Sequence, residues 1–242
     1  MKPQKIELLY ADEAIIIVNK PPGILTIPDR HDPAIPNILG YLRDRYENVF
    51  TVHRIDRETS GILCFARDEA SHRALSMQFQ DRLVDKVYMV LVQGTVLGEE
   101  GRIENYLADH PTIPGRMVIV KRDGKKSITE WRVTERFRHF TLLDAHIKTG
   151  RQHQIRVHFK HLGHPLAIDT MYANKDKLML SEIKRKFTIS ENAEEQPIMS
   201  RLTLHAHQLG ITHPLTGERV HFTAPAPKDF AALLTQLGKW GK

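Results

Sequence analysis

A short charged stretch, residues 53–61, lies between two apolar runs that both predict β-strands. Charged side chains packed between buried strands cost free energy unless they pair. Asp56 has Arg54 and Arg57 close by in sequence, and a carboxylate held among guanidinium groups keeps its negative charge. Such a group suits the role of an anionic nucleophile or an electrostatic stabiliser better than that of an acid. A plain turn, in which Asp56 bonds the backbone and its neighbours face water, accounts for the same residues.

The rest of the chain alternates short apolar runs with Gly, Pro and polar residues, which predicts a mixed α and β fold without the regular alternation of a doubly wound sheet. Residues 98–126 are expected to form loops and a hairpin, and 174–200 a surface insertion. The predicted strands are two within 6–18 and one each at 50–52, 61–66, 86–93, 128–135, 140–147, 202–211 and 219–222. The predicted helices start after Asn37, after Ala66, at 149 or 150 and at 229.

Two further segments carry polar groups in an apolar setting. On the helix predicted from 149 or 150 to about 162, Arg151, Ile155 and His158 share one face. Arg151 would lie in the first turn, where the helix dipole disfavours a cation, so we expect an anionic partner from elsewhere. An amphipathic helix with a solvated basic side explains the same spacing. Tyr88 alternates with Val90 along a predicted strand, and most strand tyrosines serve packing.

Composition excludes some classes of protein and leaves others open. The net charge of +6 and the pI of about 9.4 are compatible with a polyanionic partner such as RNA. Cys64 is the one cysteine, so no intramolecular disulfide can form, as is typical of a reducing compartment. No apolar run is long enough for a signal peptide or a membrane span, which predicts a cytoplasmic protein.

Two other enzyme classes find little support. The chain has 14 histidines, but the pairs His158/His161 and His205/His207 have no carboxylate beside them at ligand-like spacing, so we expect no metal. A serine hydrolase would need a Gly-x-Ser-x-Gly turn, which the sequence lacks.

Residues 53–61 read H-R-I-D-R-E-T-S-G and closely resemble the H-R-L-D-x-x-T-S-G string of RluA-type RNA pseudouridine synthases, with Ile55 in place of Leu. Other matches follow in the family's order, and the similarity covers about 9–230. They are the N-terminal motif at 18–23, K-V-Y at 86–88, T-G-R-x-H-Q-I-R-V-H at 149–158, G-H-P at 163–165 and L-H-A at 204–206.

The resemblance implies a role for each matching residue. Asp56 is the catalytic nucleophile, Arg151 pairs with it, and Tyr88 stacks on the target base and helps remove the proton at carbon 5. Arg54 fills the gap that the extruded nucleotide leaves. The matching residues His53, Thr59, Ile155 and Lys20 are assigned to substrate or RNA binding.

The resemblance also implies an architecture and a set of partners. We expect the α+β pseudouridine synthase fold: one domain over 1–242 with a central mixed, largely antiparallel β-sheet, flanking helices and loops, and a catalytic cleft across the middle. The reaction changes no oxidation state and loses no group, so no cofactor or metal is needed. The expected substrate is a uridine flipped out of structured ribosomal or transfer RNA, and the expected state is a cytoplasmic monomer without an obligate protein partner.

Some features depart from the family pattern. Ile168 stands where the family usually has a small residue, often glycine, and 174–200 is longer than the minimal pattern. We expect no separate N-terminal RNA-binding module, so the basic groups of this chain would select the RNA. The candidates are Arg43, Arg45, Lys121, Arg122, Lys125, Lys126 and Lys184 to Lys186. A different class, an RNA-binding or RNA-folding protein that does not depend on this chemistry, remains the alternative.

Overall fold

The computed structural model describes residues 6–188 and 194–242. Over those residues the chain forms eleven strands, four α-helices and a short 3₁₀ helix at Leu180–Glu182. The strands are β1 (Glu7–Ala11), β2 (Ile15–Lys20), β3 (Phe50–Thr51), β4 (Ser60–Ala66), β5 (Asp85–Gln93), β6 (Glu100–Asp109), β7 (Met117–Val120), β8 (Lys125–Arg136), β9 (Phe140–Ile147), β10 (Leu204–Thr212) and β11 (Arg219–Thr223). The α-helices are α1 (Ile38–Arg43), α2 (Glu69–Gln80), α3 (Gln154–His161) and α4 (Lys228–Trp240).

The chain divides into two compact units, each with its own strands and core. The first unit comprises residues 1–87 and 205–225, and the second comprises 88–204 and 226–242. The expectation of a single domain over the whole chain stays a prediction. No helix among the described residues is long and apolar enough to cross a membrane.

The first unit is built around β2 and β4, which are almost entirely buried. β2 pairs antiparallel with β1 and with β4, and β4 pairs parallel with β10 at Ser60↔His205 and Gly61↔Ala206. The β-branched run of β2 suits a strand that is covered on both faces, since such side chains pack well on a pleated surface. Its Ile15 and Ile17 pack with Ile62 in the core of this unit.

The second unit carries its strands in the order β5-β9-β8-β6-β7, and the pairs from β9 to β7 are antiparallel. Its core gathers Leu91, Phe140 and Ile168 against Phe230 and Leu233 of α4. With a parallel pairing beside antiparallel ones and helices on the strands, the predicted α+β fold with a mixed sheet is confirmed.

Three predictions about elements need correction. Residues 98–126 contain the expected hairpin as β6 and β7, but with the start of β8 these strands take up more of the segment than expected, because their charged side chains lie on the exposed face. The predicted helix starts at Gln154, so Arg151 precedes it and does not lie in its first turn. The segment 174–200, interpreted as a surface insertion, also buries Leu178, Ile183 and Met199 in the core, while its residues 189–193 lie outside the described residues.

Candidate active site

Asp56 lies in the loop that joins β3 to β4, and buried neighbours hold that loop. The backbone N–H of Thr59 donates to the Asp56 carbonyl at 3.1 Å, which closes a tight turn. Ile55 is buried, and its carbonyl accepts a hydrogen bond from the Thr26 hydroxyl at 3.1 Å. Asp56 is only partly exposed, whereas Arg54 faces solvent. The loop therefore presents a carboxylate from a firmly anchored backbone.

Lys20 anchors the same loop from β2. Its side chain is 0% exposed, and its ammonium donates to the carbonyls of Pro21 at 3.0 Å, Ile24 at 2.7 Å and Arg57 at 2.8 Å. A buried ammonium is tolerated only when its donors are satisfied, and these three carbonyls meet that need. The buried ammonium thus holds Arg57, the residue next to Asp56, and the assignment of Lys20 to substrate or RNA binding stays a prediction.

His53 is also occupied within the first unit. Its ring stacks on Phe79 at 4.6 Å between centroids, and its Nε2 accepts the backbone N–H of Cys64 at 3.0 Å. Burial, with a smaller effect from the charge of Lys86, lowers the pKa of His53 to about 3. The ring is thus neutral near pH 7 and fixes the start of the loop, and its contact with RNA stays a prediction.

Ser60 and Gly61 fix the other end of the loop where β4 meets β10. Ser60 Oγ lies 2.9 Å from His205 Nδ1, and both side chains are buried. His205 Nε2 lies 3.2 Å from the Ala224 carbonyl, which can only accept, so Nε2 carries the proton and Nδ1 accepts from Ser60. This pair joins β4 to β10. By contrast, Thr59 is 1% exposed, and its buried hydroxyl has no hydrogen-bond partner among the described residues.

In the second unit, Arg151 sits on a turn that the side chain of Gln154 organises. The Gln154 Oε1 accepts the Arg151 N–H at 3.1 Å and the Thr149 hydroxyl at 2.7 Å. Its Nε2 donates to the Ile128 carbonyl and to the Thr129 hydroxyl, both at 2.9 Å. Because Gln154 is buried, these four bonds tie the turn to β8.

The guanidinium of Arg151 is held at one nitrogen. Its Nε donates to the Lys126 carbonyl at 3.1 Å, and its Nη atoms make no hydrogen bond within the described residues of the second unit. The side chain is partly exposed. An arginine fixed in this way can still offer its two outer nitrogens to a carboxylate or a phosphate.

Tyr88 and Ile155 are the remaining predicted site residues of the second unit. Tyr88 lies on β5, its first residue in this unit, and is 8% exposed. Ile155 is buried in the first turn of α3. No group of three or more His, Cys, Asp or Glu side chains that could hold a metal occurs among the described residues.

The sequence matches the family model of RNA pseudouridylate synthases over residues 14–161, which includes the Asp56 loop and the Arg151 turn. The chain belongs to the RNA pseudouridine synthase family. It is 34% identical to the RNA pseudouridine synthase YlyB of Bacillus subtilis over 99% of this chain and 75% of that protein.

Further relatives agree with this family assignment. Ribosomal large subunit pseudouridine synthase D of Neisseria meningitidis serogroup B is 32% identical over 98% of this chain, which spans 62% of that relative. Among solved structures, human RNA pseudouridylate synthase domain containing 1 superposes with a TM-score of 0.69 at 26% identity, covering 94% of this chain and 87% of that one. Members of the family are isomerases that act on RNA, so the sequence-based family prediction is confirmed.

Sequence reasoning missed a buried group in the second unit of this synthase. Arg156 makes a two-pronged ion pair with Asp169 at 2.7 and 2.8 Å, and its guanidinium lies over the Tyr172 ring, 4.9 Å from the centroid. Both charged residues are buried. In the sequence, Arg156 and Asp169 stand out only as polar residues at positions that face inward. That pattern does not reveal that they pair with each other. Ile168, the departure from the family's small residue, packs into the core beside this pair.

Proposed function

We propose that this synthase converts specific uridines of structured RNA to pseudouridine with Asp56 as the nucleophile. The observation that carries this proposal is the anchoring of the Asp56 loop: Lys20, the Thr59 turn and the β4–β10 pairing hold a partly exposed carboxylate in a fixed place. A preorganised anion lowers the barrier because little reorganisation is needed during reaction.

The reaction defines what the other residues must do. The bond from carbon 1′ of the ribose to nitrogen 1 of the base breaks, the uracil turns, and carbon 1′ joins carbon 5. Carbon 5 loses a proton and nitrogen 1 ends with one, so the product is an isomer of the substrate. We assign the charge pairing of Asp56 to Arg151, and base stacking and proton removal to Tyr88.

The remaining contacts concern the RNA. A base in structured RNA must leave its stack to be reached, at a cost of a few kcal/mol. We propose that Arg54, exposed beside Asp56, fills the gap left by the flipped base. Thr59 would offer its unpartnered hydroxyl to the substrate, and Ile155 would line the uracil pocket.

We further propose ribosomal RNA as the substrate class, ahead of transfer RNA. The names of the Neisseria relative and of a Pseudomonas aeruginosa relative that is 34% identical both specify the large ribosomal subunit. A monomer in the cytoplasm that needs no protein partner completes the proposal. Mapping pseudouridine in ribosomal and transfer RNA from cells with and without this gene tests it, and an unchanged ribosomal RNA pattern would exclude that substrate.

The decisive variant is Asp56→Asn, which keeps the side-chain shape but removes the charge. We expect a loss of at least about a thousandfold in tritium release from RNA labelled at carbon 5 of uridine. Binding of the same RNA should change little, because the variant keeps the loop. Glu58→Gln is the matched control: it removes an exposed carboxylate from the same loop and should leave the rate unchanged.

The outcome also separates the two classes of function. If Asp56→Asn keeps the wild-type rate, Asp56 is not the nucleophile. If the wild-type protein binds RNA but releases no tritium from any labelled ribosomal or transfer RNA, the proposed activity is rejected. That result favours the alternative, an RNA-binding protein that does not catalyse this reaction.

A further inference from the structure

We propose that Tyr172 is a positioning residue of the reaction, because its hydroxyl clamps the turn that carries Arg151. The inference rests on the role proposed above for Arg151. All of the contacts that carry it lie within the second unit.

The turn before α3 contains an unfavourable backbone conformation. His153, the residue before the helix, has φ 52° and ψ 17°, and no side-chain hydrogen bond caps the helix there. This left-handed region is disfavoured for a residue with a Cβ atom, so it persists only when the surroundings impose it. His153 follows Arg151 by two residues, so its conformation sets the direction in which the chain leaves the arginine.

The hydroxyl of Tyr172 supplies that constraint. It lies 3.0 Å from His153 Nδ1 and accepts the backbone N–H of Met117 at 2.8 Å. The same hydroxyl lies 3.4 Å from the Met117 carbonyl, and the tautomer of His153 sets which partner donates in the bond between the phenol and Nδ1. The tyrosine thus links the turn to the first residue of β7.

The tyrosine itself cannot easily move. Its ring is buried, and the guanidinium of Arg156 lies over it. Asp169, which binds Arg156, also accepts the backbone N–H of Tyr172 at 3.0 Å. The buried ion pair therefore fixes both the ring and the backbone of the residue whose hydroxyl reaches His153.

The turn is consequently held at more than one point. The Gln154 side chain accepts the Arg151 N–H, and the Tyr172 hydroxyl bonds His153. Gln152 adds a bond from its Nε2 to the Gly115 carbonyl at 3.2 Å. These bonds fix the position of the Arg151 backbone. A fixed position favours the reaction, because a small misplacement of a catalytic group costs up to a hundredfold in rate.

Tyr172→Phe tests the clamp, since it removes only the hydroxyl and keeps the ring in its packing. We expect the single-turnover rate of pseudouridine formation to fall about tenfold or more, while the Kd for the RNA stays within about twofold. A residue with a purely structural role would change thermal stability or binding without this selective loss of the chemical step. Tyr106→Phe, on an exposed tyrosine of β6, is the matched control and should keep the wild-type rate.

A second variant tests the same hydrogen bond from the other partner. His153→Asn tolerates the left-handed backbone but loses the ring nitrogen that Tyr172 meets. If both act through this bond, the double variant should be no slower than the slower single variant. If Tyr172→Phe does not fold, the same rate and binding measurements on His153→Asn test the hydrogen bond.

Two results would overturn the inference: a wild-type single-turnover rate in Tyr172→Phe, or losses that multiply in the double variant. Arg151→Lys, measured in parallel, separates this from the proposal on which it rests. Lysine cannot make a two-pronged pair with a carboxylate, so that variant should be slow. If Arg151→Lys is slow and Tyr172→Phe keeps the wild-type single-turnover rate, only the role of Tyr172 is rejected. If Arg151→Lys itself keeps the wild-type rate, the role proposed for Arg151 is rejected.

Discussion

Gly61 shows how one residue shapes the Asp56 loop through its backbone. Its φ is +117°, and a Cβ atom built on it would lie 2.1 Å from the Ala206 carbonyl oxygen. The cause is the parallel pairing of β4 with β10, which brings Ala206 directly opposite Gly61. The glycine of the T-S-G string therefore permits two backbones to approach closely, and its contribution to chemistry is indirect.

We expect Gly61→Ala to lower the free energy of unfolding by roughly 2–5 kcal/mol, because it adds both backbone strain and a steric overlap. Urea unfolding measures the loss. Gly238→Ala is the control, since its added Cβ meets nothing within 4 Å on α4. There we expect no loss and a gain of up to about 1 kcal/mol. Equal stability of the two variants would contradict the close-approach explanation.

At the scale of elements, α3 is tied to β6 and β8 through His158. The fully buried ring bonds Thr129 through Nδ1 at 2.9 Å and lies within 2.9 Å of Ser127 and 3.0 Å of Asn105 through Nε2. Burial, with a smaller effect from nearby His161, lowers the pKa of His158 to about 4. The helix is therefore docked through a histidine that stays neutral.

The pKa of His158 predicts how stability depends on pH. In the unfolded chain the ring takes up a proton near pH 6.5, but in the folded protein only near pH 4. The unfolded state thus binds more protons as the pH falls through this window, and folding loses roughly 3 kcal/mol between pH 6.5 and pH 4. Urea unfolding at pH 6.5 and pH 5 should show a smaller pH effect in His158→Gln than in wild type, and an identical effect would refute this assignment.

The start of α3 also shows why an element boundary escaped prediction. The sequence predicts a helix from 149 or 150, and a threonine hydroxyl at such a position is able to cap a helix N-terminus. In the structure that hydroxyl accepts the Ile128 N–H at 2.9 Å and donates to Gln154. The Thr149 hydroxyl is thus engaged by β8 and by Gln154 and does not cap the helix. A local sequence pattern does not reveal such a long-range bond.

Other helices and strands were predictable where the spacing of apolar residues matched a single type of secondary structure. Asn37 caps α1 through its side chain, which accepts the Gly40 N–H at 2.8 Å, as its position before an apolar run indicates. Within the candidate site, the motifs locate Asp56, Tyr88 and Arg151. They do not reveal that Lys20 is buried under the Asp56 loop, or that Tyr172 meets His153, because those contacts join residues far apart in sequence.

Over the whole molecule, the positive charge is not equally available to RNA. On the exposed face of the second unit, several cations are already paired: Lys126 with Glu104 at 2.5 Å, Lys148 with Glu130 at 3.1 Å and Arg132 with Glu100 at 3.3 Å. Lys121 and Arg122 lie in the turn between β7 and β8, and Lys125 is the first residue of β8; all three are exposed, and none has an ion pair among the described residues. The sequence offers Lys126 as an RNA-binding candidate together with Lys121, Arg122 and Lys125, whereas the structure places Lys126 in the paired set.

This division predicts how RNA binding responds to salt. Each cation that neutralises a phosphate contributes about 0.7–0.9 to the slope of log K against log salt concentration. Removing the unpaired set (Lys121→Ala, Arg122→Ala, Lys125→Ala) should therefore weaken binding and lower that slope by about 2, with the rate at saturating RNA unchanged. The paired set (Lys126→Ala, Lys148→Ala, Arg132→Ala) removes the same net charge but should lower the slope by less than about 1, because those cations already face carboxylates. Equal slopes in the two triple variants would show that net charge alone attracts the RNA and that the β7–β8 turn makes no direct contact.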